Sequence, residues 1–283
     1  MSSRRRDGVR PEPTLTPRDV MIIRTICQHG ALTREQVRRL FFRHGEGLAS
    51  VQAVCRRLKT LTERGYLDRL RIPTAMGSGP YVYLPGAQSE VVLESEELSL
   101  ARVTKRERLR SVAVIAHRLE VADFHIGLKD ALAAQNGCIS VWLSERQAHY
   151  ALPGTGRTLP FTPDAYCLWA LGSDEGAFFL EWDRGTESMI RLAEKLARYE
   201  VYYGLRAYQD HLGEYDLRPR VLFVVPDERR RTKLSSWLAR RLVRGEWPSL
   251  PSVLTATQAE VDAEPLGEIW YRPDDDEPMR LVD

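Results

Sequence analysis

The stretch Ala177-Phe178-Phe179-Leu180-Glu181-Trp182-Asp183 decides how the larger part of the chain is read. An apolar run that ends in two carboxylates, one tryptophan apart, reads as a buried strand with acids at its end. Residues two apart in a strand point to one face, so Glu181 and Asp183 share a side of the sheet. Unpaired buried charge is costly, so both acids need partners. Upstream, Ile139-Ser140-Val141-Trp142-Leu143 and residues 162–170 read as two further strands, with Asp164 just after Pro163 at the start of the second. Helical apolar spacing covers about 109–134 before them and about 187–210 after them, the latter with Ile190, Leu192, Leu196, Tyr199 and Tyr203. Val221-Leu222-Phe223-Val224-Val225 is a continuous apolar run, the mark of a strand buried on both faces. An amphipathic helix over 231–243 follows, and the order predicts an α/β domain with a mixed sheet between helices.

The first ninety residues have a different grammar. Thr16-Pro17 reads as N-cap and first helical position, with Val20, Ile23, Ile26 and Cys27 as the buried stripe and His29-Gly30 as the stop. Thr33-Arg34-Glu35-Gln36 fits a capping box, followed by Val37, Leu40 and Phe41. A third helix runs from about Ser50 to Arg64, buries Val51, Val54, Cys55, Leu58 and Leu61, and stops at Gly65. A strand-like stretch, a turn at Gly77-Ser78-Gly79 and the strand Tyr81-Val82-Tyr83-Leu84 complete the order of a winged helix-turn-helix. In that geometry the third helix enters the major groove, presenting Ser50, Gln52, Ala53 and Arg56 to base edges. Arg57, Lys59, Arg69 and Arg71 are the phosphate contacts expected around it.

Charge divides the chain in the same place. The formal net charge is +2, yet residues 1–90 carry 16 Arg/Lys against 8 Asp/Glu, and the rest is net acidic. A basic module joined to an acidic one points the first part at a polyanion. The four cysteines are scattered without a CxxC pair, no apolar run approaches a membrane span, and the Arg-rich start lacks a signal-peptide core. The expectation is a reduced, cytoplasmic protein with no disulfide framework, zinc site or membrane segment. Five segments are expected: a disordered leader (1–13), the winged helix (14–90), a linker or connecting helix (91–108), the α/β domain (109–247) and an acidic tail (248–283). The last 26 residues hold 9 Asp/Glu against 2 Arg, which reads as a mostly solvated tail after a short Ile269-Trp270-Tyr271 segment.

The αβββαβ order with Pro163-Asp164 and then Glu181-Trp182-Asp183 resembles the PD-(D/E)xK nuclease superfamily. More narrowly, residues 178–188 (Phe-Phe-Leu-Glu-Trp-Asp-Arg-Gly-Thr-Glu-Ser), with Lys195 and Tyr199 following, resemble the replication-relaxation family of plasmid and mobile-element proteins. Members of that family pair a winged helix with a nuclease-like domain, and the resemblance covers roughly residues 16–240. It implies Asp164 and Glu181 as ligands of Mg²⁺ or Mn²⁺, helped by the Trp182 carbonyl. The superfamily lysine belongs two residues after the glutamate, where this chain has Asp183; Lys195 would supply the cation instead. Glu145 and Glu120 are candidates for a further acidic position.

Two functions follow from the resemblance. One is a DNA-binding protein of plasmid or mobile-element replication, relaxation or transfer that nicks double-stranded DNA. The other is a non-catalytic regulator or adaptor whose nuclease-like domain binds replication or transfer proteins, or a second copy. A repressor with a ligand-sensing C-terminal domain is a third. On the residues alone, Glu181 and Asp183 are equally readable as an ion network with Arg184, Arg191 or Lys195. His117 and His125 read as structural, and Tyr199, Tyr202, Tyr203 and Tyr208 as core rather than as a stacking platform.

Overall fold

The computed structural model describes residues 15–42, 48–74, 77–93, 112–154, 158–212 and 217–282. The expected leader and most of the 91–108 segment lie outside the described residues. In the N-terminal unit both capping boxes form. Thr16 caps α1 (Pro17–His29) with Asp19 reciprocating, and Thr33 caps α2 (Arg34–Phe41) with Gln36 reciprocating. α3 (Leu48–Glu63) and the hairpin β2 (Leu67–Thr74) and β3 (Gly77–Pro85) follow, and β1 (Leu32–Thr33) joins the hairpin in the order β1-β3-β2. Gly77-Ser78-Gly79 therefore opens β3 instead of making the turn. Ile23, Ile26, Cys27, Val37, Val54, Leu58 and Leu61 of the expected stripes are fully buried in one cluster, joined by Ile22, whereas Val20, Val51 and Cys55 are half-buried.

The second unit has the expected αβββαβ series. It runs α4 (Val112–Ala134), β4 (Cys138–Ser144), β7 (Ala165–Leu171), β8 (Asp174–Trp182), α5 (Met189–Gly204) and β9 (Arg220–Val225), with a small hairpin of β5 (Tyr150–Leu152) and β6 (Leu159–Phe161) inserted after β4 and a short helix α6 (Ala207–Leu212) after α5. β4, β7 and β8 pair antiparallel, whereas β8 and β9 pair parallel. Alternation along β8 sorts its side chains into two cores. Phe178, Leu180 and Trp182 face α4, whereas Phe179 faces Leu192, Leu196 and Tyr199 of α5. α7 (Glu228–Val243) adds Leu234 and Leu238 to the second core, so the sheet lies between two helical layers. No helix among the described residues is long and apolar enough to cross a membrane.

The expectation of a solvated acidic tail is corrected. β10 (Val253–Thr257) is buried throughout and pairs parallel with β9; β11 (Trp270–Tyr271) and β12 (Pro278–Met279) then extend the sheet to seven strands. Trp270 is fully buried and Leu266, Leu281 and Val282 pack beside it. Charge count misled because the acids sit on a short helix and on the turns between strands. Thr257 caps α8 (Gln258–Ala263) with Glu260, and Asp275 accepts the Glu277 amide.

α4 is shared by both units. Ala122 belongs to the N-terminal core, whereas Phe124, Leu128 and Leu132 belong to the sheet. Gln36 donates to the Leu119 carbonyl and Gln28 to the Trp142 carbonyl, closing part of the exposed edge of β4. Gly30 has φ 74°, a backbone conformation that favours glycine, and a Cβ there would displace the Arg118 guanidinium, 2.6 Å away. His29 Nε2 lies 3.0 Å from His125 Nδ1, and the His125 ring stacks on Trp142 at 4.2 Å. Burial lowers His29 to about 4 and His125 well below its ordinary value. Both stay neutral in the fold while the unfolded chain protonates them. The His29 contribution is therefore complete well above pH 6.5 and lost as pH falls towards about 4, by roughly 1.4 kcal/mol per pH unit, and His125 adds a loss of the same sign. Thermal unfolding at about pH 7 and pH 5 checks this: His125→Phe should narrow the acid loss in Tm, and equal losses in both proteins would refute it.

Candidate functional site

Gln52, Arg56 and Lys59 are exposed along the outer side of α3, at the spacing of one helical face. Ser50 is in the first turn, with its side chain outside the described residues. Lys59 lies 3.7 Å from Glu63, an exposed pair of little consequence. On the hairpin, the guanidiniums of Arg69 and Arg71 sit 4.8 and 4.3 Å from the Tyr81 ring centre. Arg57 departs from expectation. It forms a two-nitrogen ion pair with Asp19, which is 1 % exposed, and so serves the fold rather than a phosphate. Against the cost of burial, Arg57 and Thr16 hold the Asp19 carboxyl below its usual value.

At the far end of β8 the sequence-distant acids converge. The Asp164 amide donates to the Leu180 carbonyl at 3.1 Å, and the Trp182 amide donates back to Asp164 Oδ2 at 2.7 Å. This exchange extends the β7–β8 ladder past its last pair and places Asp164 beside the acidic end of β8. Glu181 is 1 % exposed and faces α5, where Lys195 Nζ donates to Oε2 at 2.6 Å and the Tyr199 hydroxyl to Oε1 at 2.7 Å. Burial lifts the Glu181 carboxyl to about 7, with Lys195 opposing and Asp164 adding to the rise. Lys195 is held protonated: burial works against its charge, but Glu181, Asp164 and Glu187 outweigh it. Asp183 shares the face of Glu181 but reaches α7, where Arg230 binds Oδ2 at 2.6 Å and the Gly185 amide binds Oδ1 at 2.7 Å. It is therefore no substitute for a lysine at the acid pair.

α4 supplies the opposite wall. His117 Nε2 lies 3.3 Å from Asp164 Oδ2 and 3.1 Å from the Trp182 carbonyl. Burial disfavours its charge, yet Asp164 raises it above its ordinary value, and the same contact helps hold Asp164 below its own. His117 was readable only as structural in the sequence, since its partners lie 47 and 65 residues away. Glu120 accepts from the Trp182 indole at 3.0 Å and pairs with Arg184 at 3.0 Å. Glu145 is exposed, 3.9 Å from Arg118, and lines the same cleft of about 320 Å³ as Asp164, His117, Glu187 and Lys195. Among the described residues no three His, Cys, Asp or Glu side chains converge as a ready metal cage. Arg57→Met and Arg230→Met each strand a buried carboxylate, and chemical denaturation should show a loss of about 3 kcal/mol for each. A loss under about 0.5 kcal/mol at either position would show that the pair is not structural.

No curated protein matches the chain. Among solved structures, the restriction endonuclease FokI bound to DNA is similar at 11% identity with a TM-score of 0.29, over 87% of this chain. The chain spans 43% of that structure's length. The replication-relaxation family matches residues 23–217, well over half of the sequence, and the protein belongs to that family.

Proposed function

We propose that the protein binds duplex DNA of a plasmid or mobile element through an N-terminal winged helix, and that its nuclease-like domain nicks or relaxes that DNA. Asp164, just before β7, and Lys195 of α5 line one cleft, and the buried Glu181 of β8 lies behind it on Lys195; this convergence carries the reading. The donor types suit Mg²⁺ or Mn²⁺: two carboxylates and the Trp182 carbonyl, all oxygen. Asp164 and Glu181 would hold the ion, which when bound polarises a phosphate oxygen and lowers the pKa of water. Lys195 and His117 hold those oxygens otherwise, so the ion competes with the Lys195 ammonium and the His117 imidazole. Lys195 Nζ, kept charged, is placed to stabilise charge that develops on a phosphate in the cleft. The wall shared with α4 keeps His117 Nε2 against Asp164 and the Trp182 carbonyl. A cytoplasmic setting, replication or transfer proteins as partners, and a homodimer belong to the same proposal.

One observation favours a second reading. Both Glu181 oxygens already accept hydrogen bonds, and the position of the superfamily lysine is an aspartate bound to Arg230. A domain so neutralised would serve as an adaptor, with DNA addressed by the winged helix alone. Supercoiled plasmid with Mg²⁺ or Mn²⁺ separates the two. Nicking is expected, with Asp164→Asn and Lys195→Met slowing it by at least about 100-fold while duplex binding stays unchanged. Intact binding without nicking by the parent protein would overturn cleavage and leave the adaptor. For the winged helix, Arg56→Ala should relax the sequence preference recovered from a random duplex pool, at a cost of about 1–3 kcal/mol on the preferred sequence. Lys59→Ala should weaken all duplexes alike, and a parent-like preference in Arg56→Ala would put the reading helix elsewhere.

A further inference from the structure

Beside α3, a groove of about 620 Å³ runs between that helix and the start of α1. Its floor is apolar, formed in part by Pro17, Phe42 and Ala53, and its walls carry Arg18 and Arg56. Arg18 is exposed, yet it is not loose: its guanidinium lies 5.1 Å from the centre of the Phe42 ring. An aromatic face holds an arginine by cation–π attraction and removes part of the entropy cost of fixing it on a ligand. Among the described residues neither Arg18 nor Arg56 forms an ion pair, and the one carboxylate that lines the groove there, Asp19, is engaged by Arg57. The acid of the groove, Asp19, is buried and taken up three ways, by the Thr16 amide, the Thr16 hydroxyl and Arg57. Among the described residues the groove thus presents two cations without a carboxylate partner over an apolar floor, a chemistry that suits a sugar face with a phosphate above it.

We infer that Arg18, steadied by Phe42, is a backbone-phosphate contact on the duplex strand that flanks the bases addressed by Arg56. The inference rests on the reading of α3 as the helix that meets DNA, and it adds a contact on α1 that the winged-helix pattern of the sequence did not include. Continuity favours a duplex over a small anion. Arg56 belongs at once to the groove and to the exposed row with Gln52 and Lys59, so a ligand on the row extends into the groove. The hairpin repeats the device, with Arg69 and Arg71 both held against Tyr81 and neither in an ion pair among the described residues. Exposed arginines kept apart from acids and braced on rings recur on two elements of one unit, an arrangement that favours a polyanion. Phe42 is a positioning residue: it touches Arg18 rather than the ligand.

Fluorescence anisotropy with the full chain and a fluorescent mixed-sequence duplex, titrated over salt concentration without divalent metal, tests this. For Arg18→Ala the slope of log affinity against log salt should fall by about one contact, with affinity down roughly 3–10-fold on every duplex alike. Phe42→Leu, which keeps an apolar side chain, should lower affinity in the same direction by about 2-fold with less change in slope, because the guanidinium remains but is no longer held. Arg244→Ala, at the end of α7 on the opposite side of the sheet from α4, should match the parent. Should Arg18→Ala keep the parent's slope while Arg56→Ala still loses affinity, the groove contact is refuted and the DNA reading of α3 survives. Should the parent protein show no salt-dependent duplex binding, the reading of α3 fails and the groove contact with it.

Discussion

Helix α4 has to bury two faces at once, and the rest of the structure is arranged around that demand. Phe124, Leu128 and Leu132 enter the sheet, whereas Ile115 and Ala122 enter the small clusters of the N-terminal unit. A side chain of that size contributes about 1.5–3 kcal/mol when fully removed from water, so neither face is expendable. A helix apolar nearly all round is stable only between two partners. The N-terminal unit is therefore no appendage on a tether: it is the second cover of α4. Its α1–β1 turn brings Gln28, His29 and Gly30 beside His117, Arg118 and Asp164, with a gap of only about 30 Å³ between them. Whatever binds α3 is thereby held at a set distance from the acid site.

The polar residues of α4 follow from the same geometry. Those on its N-terminal half look along the edge between the two units, and each finds a partner there: His117 with Asp164, Arg118 with Glu145, Glu120 with Arg184. His125, further along, meets His29 across the interface, and it tolerates burial because both rings are neutral. Leu119, between the polar positions, offers its carbonyl to Gln36. Apolar positions hold the units together, and the polar positions beside them shape the cleft.

Much of this was legible in local pattern. Capping boxes at Thr16 and Thr33, the stripe of α3, the αβββαβ order and the shared face of Glu181 and Asp183 all rest on spacing within one element, which sequence exposes directly. Partners were less legible. The sequence offers Arg184, Arg191 and Lys195 for the acids of β8; Lys195 takes Glu181, but Arg230, 47 residues from Asp183, takes the other. Tyr199 reads as core and is 1 % exposed, yet its hydroxyl reaches the buried carboxylate, a contact no apolar stripe encodes. Arg57 reads like its neighbours on α3 until Asp19 is folded against it. The C-terminal strands were missed for a related reason. Val253–Thr257 is short, and what makes it a strand is the pairing with β9, which lies beyond any local window.

The acids at the end of β8 show what such pairing accomplishes. Asp164, Glu181, Asp183 and Glu120 each have their own basic partner, drawn from α4, α5, α7 and the loop after β8. Buried ion pairs seldom stabilise more than apolar side chains of the same size would, so their presence is poorly explained by stability alone. Their separation is informative. Arg230 neutralises Asp183 on the α7 side, which leaves Lys195 for Glu181 and His117 for Asp164. If Asp183 lacked its own cation, it would compete for Lys195 on the face it shares with Glu181, and the cleft would carry a surplus negative charge. That surplus would repel a phosphate. By closing Asp183 off, Arg230 keeps the cleft near neutrality and lets Lys195 remain the cation nearest the acid pair. An aspartate where the sequence resemblance expects a lysine is thus compatible with the phosphate proposed for the cleft, because α5 and α7 divide between them the charge that a single lysine would otherwise supply.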